Sequence, residues 1–414
     1  GRQIRSLKLL ASVGARQFHI DEPRFDRALT DLAVGAAEEL GELSEDFEGA
    51  RGTLVEEKGS FHAEFALRFR GDASWTTQAI REAGKLQGAA PAVFDVLPSS
   101  VRSASYSRPL PAERFTELKN LLVDLVGGYA TSVKIPRAER VDLESLAAEL
   151  FNEPGPTAQA SGPLVVHESK DGAELATAWE LWGTSRPKAK VIAVLDGLVR
   201  LSASRAIAEQ VKEDKVLPVV TKERIKLAGA PTAQVYHWQL PKEIADLAEP
   251  LGESSSSLED KWHLFDDGYV AVDTIDGTTW VSWGLRAEGL GEPFRILRDK
   301  SAERVSRVAA LSGFRARPAV GAAFLHVDSL APVVAPFLED SFARDFSKLL
   351  ESTPNHGRTP ITYFVEVRSG AVLELRFTTD IPAAFVTDAA ALVTLAADSW
   401  KDDSDSDSES PVDD

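Results

Sequence analysis

The sequence contains no cysteine. A disulfide framework, a thiolate metal site and a cysteine nucleophile are therefore excluded together. Methionine is missing as well, initiator included, and the chain opens Gly1-Arg2-Gln3, as expected if the N-terminus was processed or cut, or if modified residues are missing from the sequence shown. Nowhere does an apolar run reach the roughly 18 residues of a spanning helix, and the residues shown hold no recognisable signal peptide. Long Lys/Arg runs are absent too: 46 basic residues stand against 64 acidic ones, a net charge of −18. Nucleic acid and anionic membrane surfaces both need a basic footprint, so neither is an expected partner. Also missing are a Gly-x-Ser-x-Gly elbow, a phosphate loop ending in Gly-Lys-Ser/Thr, a Gly-x-Gly-x-x-Gly turn and a His-Glu-x-x-His pair. The common nucleophile, nucleotide and zinc chemistries lose their usual signatures.

What remains is an ordinary apolar content, 43% over 414 residues, enough for two domains or one large one. Residues 401–414 hold seven acids and one lysine, a composition that predicts a solvated, disordered tail.

The most informative feature is internal repetition. Residues 13–21 read VGARQFHID and residues 320–328 read VGAAFLHVD, with five of nine positions identical, His19 with His326 and Asp21 with Asp328 among them. A helical pattern follows each, with Phe25, Leu29, Leu32, Ala36 and Leu40 on one face in the first copy. In the last copy Leu330, Val334, Phe337, Phe342, Phe346 and Leu349 fall on one face. The likeness resumes where LVEEKGSFHAEFALRFRGD at 54–72 answers FVEVRSGAVLELRFTTD at 364–380. Each reads as a hairpin, with Phe61, Phe65, Leu67 and Phe69, or Leu373, Leu375 and Phe377, alternating at period two. A second helix is expected after each, with Ser74 as its N-cap in the first copy and Pro382 in its first turn in the last.

Two inner stretches fit the same plan. One runs from a strand at 101–107 through a helix with Phe115, Leu118, Leu122 and Leu125, strands around LVVHES and ATAWEL, a hairpin turning at Asp196-Gly197, and a helix through Ile207 and Val211. The other has a strand at 235–240, a helix with Ile244, Leu247 and Leu251, strands at 269–272 and 279–283, and a helix with Ala302, Val305 and Val308. The resulting expectation is an α+β fold of four strand-helix-hairpin-helix units, with mostly antiparallel sheets and helices packed on one side. The turn-rich stretch at 222–233 suggests a boundary, giving an N-terminal domain at 1–225, a C-terminal domain at 226–400 and the tail at 401–414. One point conflicts with simple duplication: the first unit resembles the fourth, not the third.

This organisation resembles uncharacterised bacterial surface and lipoprotein families built from repeated strand-helix-hairpin units. That resemblance implies a cell-envelope or secreted location on the periplasmic side, with any leader outside the chain shown, and implies no activity. The expected function is that of a non-enzymatic binding or scaffold protein, whose partner is another protein or a small apolar ligand.

A local motif offers an enzymatic alternative. Residues 270–284 read VAVDTIDGTTWVSWG, and Gly252-Glu253 precedes them. The segment resembles the metal site of the inositol monophosphatase family, whose signature is Gly-Glu followed by a strand into Asp-Pro-Ile-Asp-Gly-Thr. The resemblance implies Glu253, Asp273 and Asp276 as magnesium ligands, with the Ile275 carbonyl a further one and the backbone at Gly277 and Thr278 meeting phosphate. Two such ions would activate water and steady the leaving oxygen of a phosphomonoester. Thr274 stands where that family has proline, Ser254 where it has a second glutamate, and Trp280-Val281 where it has Asn-Phe. On the competing reading Asp276-Gly277 is a hairpin turn and nothing more.

Two other groups of residues invite a role. His19, His237 and His326 hold similar places in the first strands of three units and could meet at a metal or proton site, or simply lie at strand edges. Trp179 with Trp182, and Trp280 with Trp283, could line a groove or be half-buried strand aromatics.

Overall fold

The computed structural model describes residues 20–153, 155–169, 172–207, 219–239, 267–331, 346 and 348–406. The first half of the chain runs α1 (Pro23–Asp46), β1 (Phe47–Glu57), β2 (Ser60–Phe69), α2 (Trp75–Leu86), α3 (Ala92–Asp95), β3 (Ser103–Ser107), α4 (Thr116–Ser132), α5 (Arg137–Glu149), β4 (Thr157–Ser161), β5 (Leu164–Ser169), β6 (Gly172–Thr177), β7 (Glu180–Thr184) and α6 (Lys188–Ser202). It continues with β8 (Val219–Glu223), β9 (Gln234–Gln239), β10 (Asp267–Ile275), β11 (Thr278–Gly284), α7 (Gly291–Arg298), α8 (Ser312–Ala316), β12 (Gly321–Leu325), β13 (Ile361–Arg368), β14 (Leu373–Ile381) and α9 (Ala383–Ser406).

Twelve strands form one antiparallel sheet in the order β1-β2-β14-β13-β12-β3-β4-β7-β11-β10-β9-β8, and β5 and β6 pair as a separate hairpin. The order explains why the first unit resembles the fourth. Leu67 of β2 lies directly opposite Leu375 of β14, with Phe65 opposite Phe377 and Phe69 opposite Leu373. Leu67 and Leu375 are matching positions in the two copies of Leu-Arg-Phe, so the outer units meet about a local twofold axis. The inner units do the same. Their Trp-x-x-Trp-Gly stretches, 179–183 leading into β7 and 280–284 on β11, meet with Leu181 opposite Ser282. The boundary expected near 222–233 falls between β8 and β9, which pair with each other, and the sheet runs on through β10 and β11 to β7.

Because side chains alternate along a strand, the register assigns each residue to a face. On one face α2 contributes Ile80 to a cluster with Phe69, Val367 and Leu373, while α9 sets Phe385 and Leu392 against Leu325, Ile361 and Ile381. On the same face α6 packs Val191, Ile192 and Leu195 on Val272, Val281, Trp182 and Trp283. The long helices thus share one side, with α4 and α5 bridging from α1 to α6. Among the described residues the opposite face is covered in its middle, where α3, α7 and α8 bring Phe94, Phe294 and Phe314 onto Tyr106, Leu181, Trp280 and Phe324. Towards β1 that face carries instead a ladder of ion pairs, Arg68–Glu374 and Arg376–Glu64.

Local chemistry sets the helix ends. Ser74 accepts from the Thr77 amide as the N-cap of α2, and buried Asp46 at the end of α1 accepts from the Ser74 amide and the Thr77 hydroxyl. Burial alone would raise the Asp46 carboxyl, but these bonds outweigh it and hold the pKa below the ordinary value. Ser74→Ala is expected to cost about 1 kcal/mol in urea unfolding; an unchanged midpoint would show the cap to be idle.

Two expectations are corrected. Asp196-Gly197 does not turn a hairpin but lies inside α6. The near-continuous apolar run there is ambiguous in period, and its length is that of a helix. Gly197 faces Leu146 of α5, and Asp196 accepts from Lys222 and from the Tyr236 hydroxyl. Residues Ala302, Val305 and Val308 make no α-helix. The Val305 amide bonds the Leu97 carbonyl and the Ser99 amide bonds the Glu303 carbonyl, so tertiary pairing overrides helical periodicity. α9 runs on through Ser406, and residues 407–414 of the tail lie outside the described residues. Most of the first-unit stretch at 13–21, the helix at 244–251 and most of the apolar face at 330–349 lie outside the described residues.

Candidate functional site

The acidic corner resolves into two unrelated residues. Asp276 and Gly277 both have positive φ, 49° and 80°, and join β10 to β11 with Ile275 opposite Thr278. That is the geometry of a two-residue turn with both central residues left-handed, which favours Asp-Gly. Lys58-Gly59 makes the same turn between β1 and β2. Asp276 is exposed at the tip, whereas Asp273 is 2% exposed on the short-helix face of the sheet.

Asp273 is fully engaged. Lys188 Nζ at the start of α6 donates to Oδ1 at 2.9 Å, Arg298 of α7 donates to Oδ2, and the Thr232 hydroxyl donates at 2.9 Å. The Thr274 amide adds a fourth donor at 2.9 Å. Burial would push the carboxyl up, but the bonds from Lys188, Arg298, Thr274 and Thr232 overcome it and keep its pKa low. The carboxylate ties a strand, two helices and the 227–233 loop into one knot. A divalent cation here would have to displace an ammonium and a guanidinium. Glu253 lies outside the described residues, among which no group of three potential ligands is clustered.

The histidines are not brought together. His237 in β9 pairs with Asp267 and stacks on Tyr269 at 4.5 Å. His326 follows β12, six positions away in the strand order, about 29 Å at 4.8 Å per strand. His19 lies outside the described residues. The tryptophans line no groove: Trp179 and Trp280 are in the core, and Trp182 and Trp283 pack under α6.

His326 instead belongs to a half-buried polar cluster around buried Arg102, at one end of strands β12, β3, β4 and β7. Arg102 donates to the carbonyls of Gly162 and Asp328 and to the Thr177 hydroxyl. Burial, then the nearby Arg102 charge, lower the His326 pKa to about 4. Burial raises the carboxyls of Asp328 and Glu180, with Arg102 opposing.

At the other end of the same strands lies a cleft of about 700 Å³, inside the roughly 300–1,000 Å³ range of small-molecule sites. Its walls come from the loop after β3, the C-terminal end of α5 and the start of α6. Leu86, Leu110 and the rigid rings of Pro109, Pro111, Pro156 and Pro187 supply apolar surface. Polar groups converge at Asn152, Glu153, Arg186 and Lys190. Arg186 lies 3.7 Å from Glu149 and 3.8 Å from Glu153, and Glu153 accepts from the Thr184 hydroxyl at 2.6 Å. Burial raises the Glu153 carboxyl, with Thr184 and Arg186 opposing. Sequence reasoning missed this cleft, because its walls come from segments far apart in the chain; four prolines beside strand ends were the only trace.

Compared with protein-family models, curated proteins and solved structures, the chain shows no match.

Proposed function

We propose that the protein is a non-enzymatic binding protein of the cell envelope or exterior, and that the cleft between β3, α5 and α6 is its ligand site. The observation that carries this reading is the cleft itself, with apolar walls and a charged end. Such a site suits a small amphipathic molecule, its body against Leu86, Leu110 and the prolines and its polar end towards Asn152, Arg186 and Lys190. The enzyme-like corner offers nothing comparable, since the Asp273 carboxylate is already bound to two cations.

The aromatic sulfonate 8-anilinonaphthalene-1-sulfonate is a suitable probe, having an apolar body and one negative charge. It is expected to bind saturably. Leu110→Trp, which fills the cleft, should weaken binding at least about tenfold, and Lys190→Glu, which reverses an exposed charge at its polar end, by a smaller factor. Fluorescence titration reads both. Absence of saturable binding, or equal binding to Leu110→Trp, would remove the cleft as the site.

A further inference from the structure

β1 forms one edge of the sheet, and no strand covers its outer side among the described residues. Exposed edges are usually blunted by proline, charged side chains, bulges, short length or a covering segment, and of these β1 carries charges of both signs, Glu48, Arg51, Glu56 and Glu57. β1 is 11 residues long, has no proline, and carries its register irregularity only at its start, between Phe47 and Gly49. Leu54 and Val55 are 69% and 54% exposed. Such an edge is a template for another strand.

We propose that the occupant is a second copy of the chain, β1 pairing antiparallel with β1 across a twofold axis at Leu54. Two antiparallel edges meet about an axis perpendicular to the sheet, so opposed residues must lie on the same face and their numbers must sum to an even value. Centring on Leu54 sets the two Leu54 side chains against each other. It places Thr53 opposite Val55 twice, a favourable pair of β-branched residues, and Arg51 opposite Glu57 twice, a pair of opposite charges. Moving the centre to Glu56 would oppose Glu56 with itself. The chain already builds this contact internally, where Leu67 faces Leu375 on the local twofold between β2 and β14.

A rival occupant is the chain's own segment 13–19, whose repeat at 320–326 contains β12, the strand beside β13. The path of α1 favours the second copy. Arg24, at its start, is fixed to Asp124 of α4 and Glu144 of α5, and α5 packs on α6 above β10, towards the far end of the sheet. The chain preceding Arg24 therefore starts well away from the β1 edge.

Sedimentation of the full chain over a concentration series tests this. The wild type is expected to dimerise. Arg51→Glu and Glu57→Arg should each weaken the dimer roughly tenfold by setting like charges opposite each other, and the double variant should restore it. Circular dichroism checks that each variant is folded. A chain that stays monomeric throughout, as it would with residues 13–19 on the edge, overturns the proposal. So does a dimer indifferent to the single variants, or a double variant no tighter than either.

Discussion

Asp273→Asn is expected to lower the unfolding free energy by about 3 kcal/mol, the cost of breaking a buried ion pair and leaving its partners uncompensated. Asparagine keeps the shape but not the charge. Lys188 and Arg298 would then share a sparsely solvated space without a counter-ion, and the amide would present a donor where the carboxylate accepts. The side chains of Lys188 and Arg298 are 23% and 32% exposed, so water offsets part of the loss. Urea unfolding measures it; a change within about 0.5 kcal/mol, typical of a plain surface site, would refute the knot. The pH dependence has a definite sign. The folded carboxyl titrates below its unfolded value of about 3.9, so its contribution is complete above that pH and disappears as pH falls through the folded pKa. The same variant separates the two readings of the acidic corner. If Asp273 held magnesium, adding the ion would raise the wild-type midpoint and support release of phosphate from monoesters, and Asp273→Asn would abolish both. On the ion-pair reading magnesium does neither.

Mild acid should destabilise the protein through His326. Its folded pKa of about 4 lies below the unfolded value of about 6.5. Between those limits the unfolded chain binds a proton that the native state refuses, so stability falls as pH drops from about 6.5 towards 4. At roughly 1.4 kcal/mol per unit the loss approaches about 3 kcal/mol. Asp328 and Glu180 act in the opposite sense: their raised carboxyls hold a proton more tightly when folded, which favours the native state at low pH. His326→Leu isolates the histidine's share. Its stability should vary less with pH than the wild type's over this window, and parallel profiles would show that His326 titrates normally. Direct titration of the ring by NMR gives an independent value.

The outer hairpins were legible in the sequence because each alternates cleanly and turns at glycine, so local preference and tertiary role agree. The α+β class followed from the same alternation. Asp196-Gly197 misled because a turn dipeptide inside an apolar run is compatible with two periods, and the close approach of α5 to α6 that uses Gly197 is invisible locally. The acidic corner was half legible. Its turn could be read from Asp276-Gly277, but the partners of Asp273 sit at residues 188, 232 and 298, far apart in the chain. The cleft left no local trace beyond its four prolines and the Arg102 cluster left none, since both are assembled by strand order.

The pairing of β2 with β14 also matters during synthesis. The two strands are separated by more than three hundred residues, and at about 5–20 residues per second a ribosome needs roughly 15–60 s to deliver the second after the first. Throughout that interval the β14 flank of the nascent N-terminal hairpin stays open, although α1 and α2 already bring Leu43 and Ile80 onto Phe69. Premature termination before residue 373 would leave it so permanently, and such fragments should be the aggregating, protease-sensitive species in cells that produce this chain.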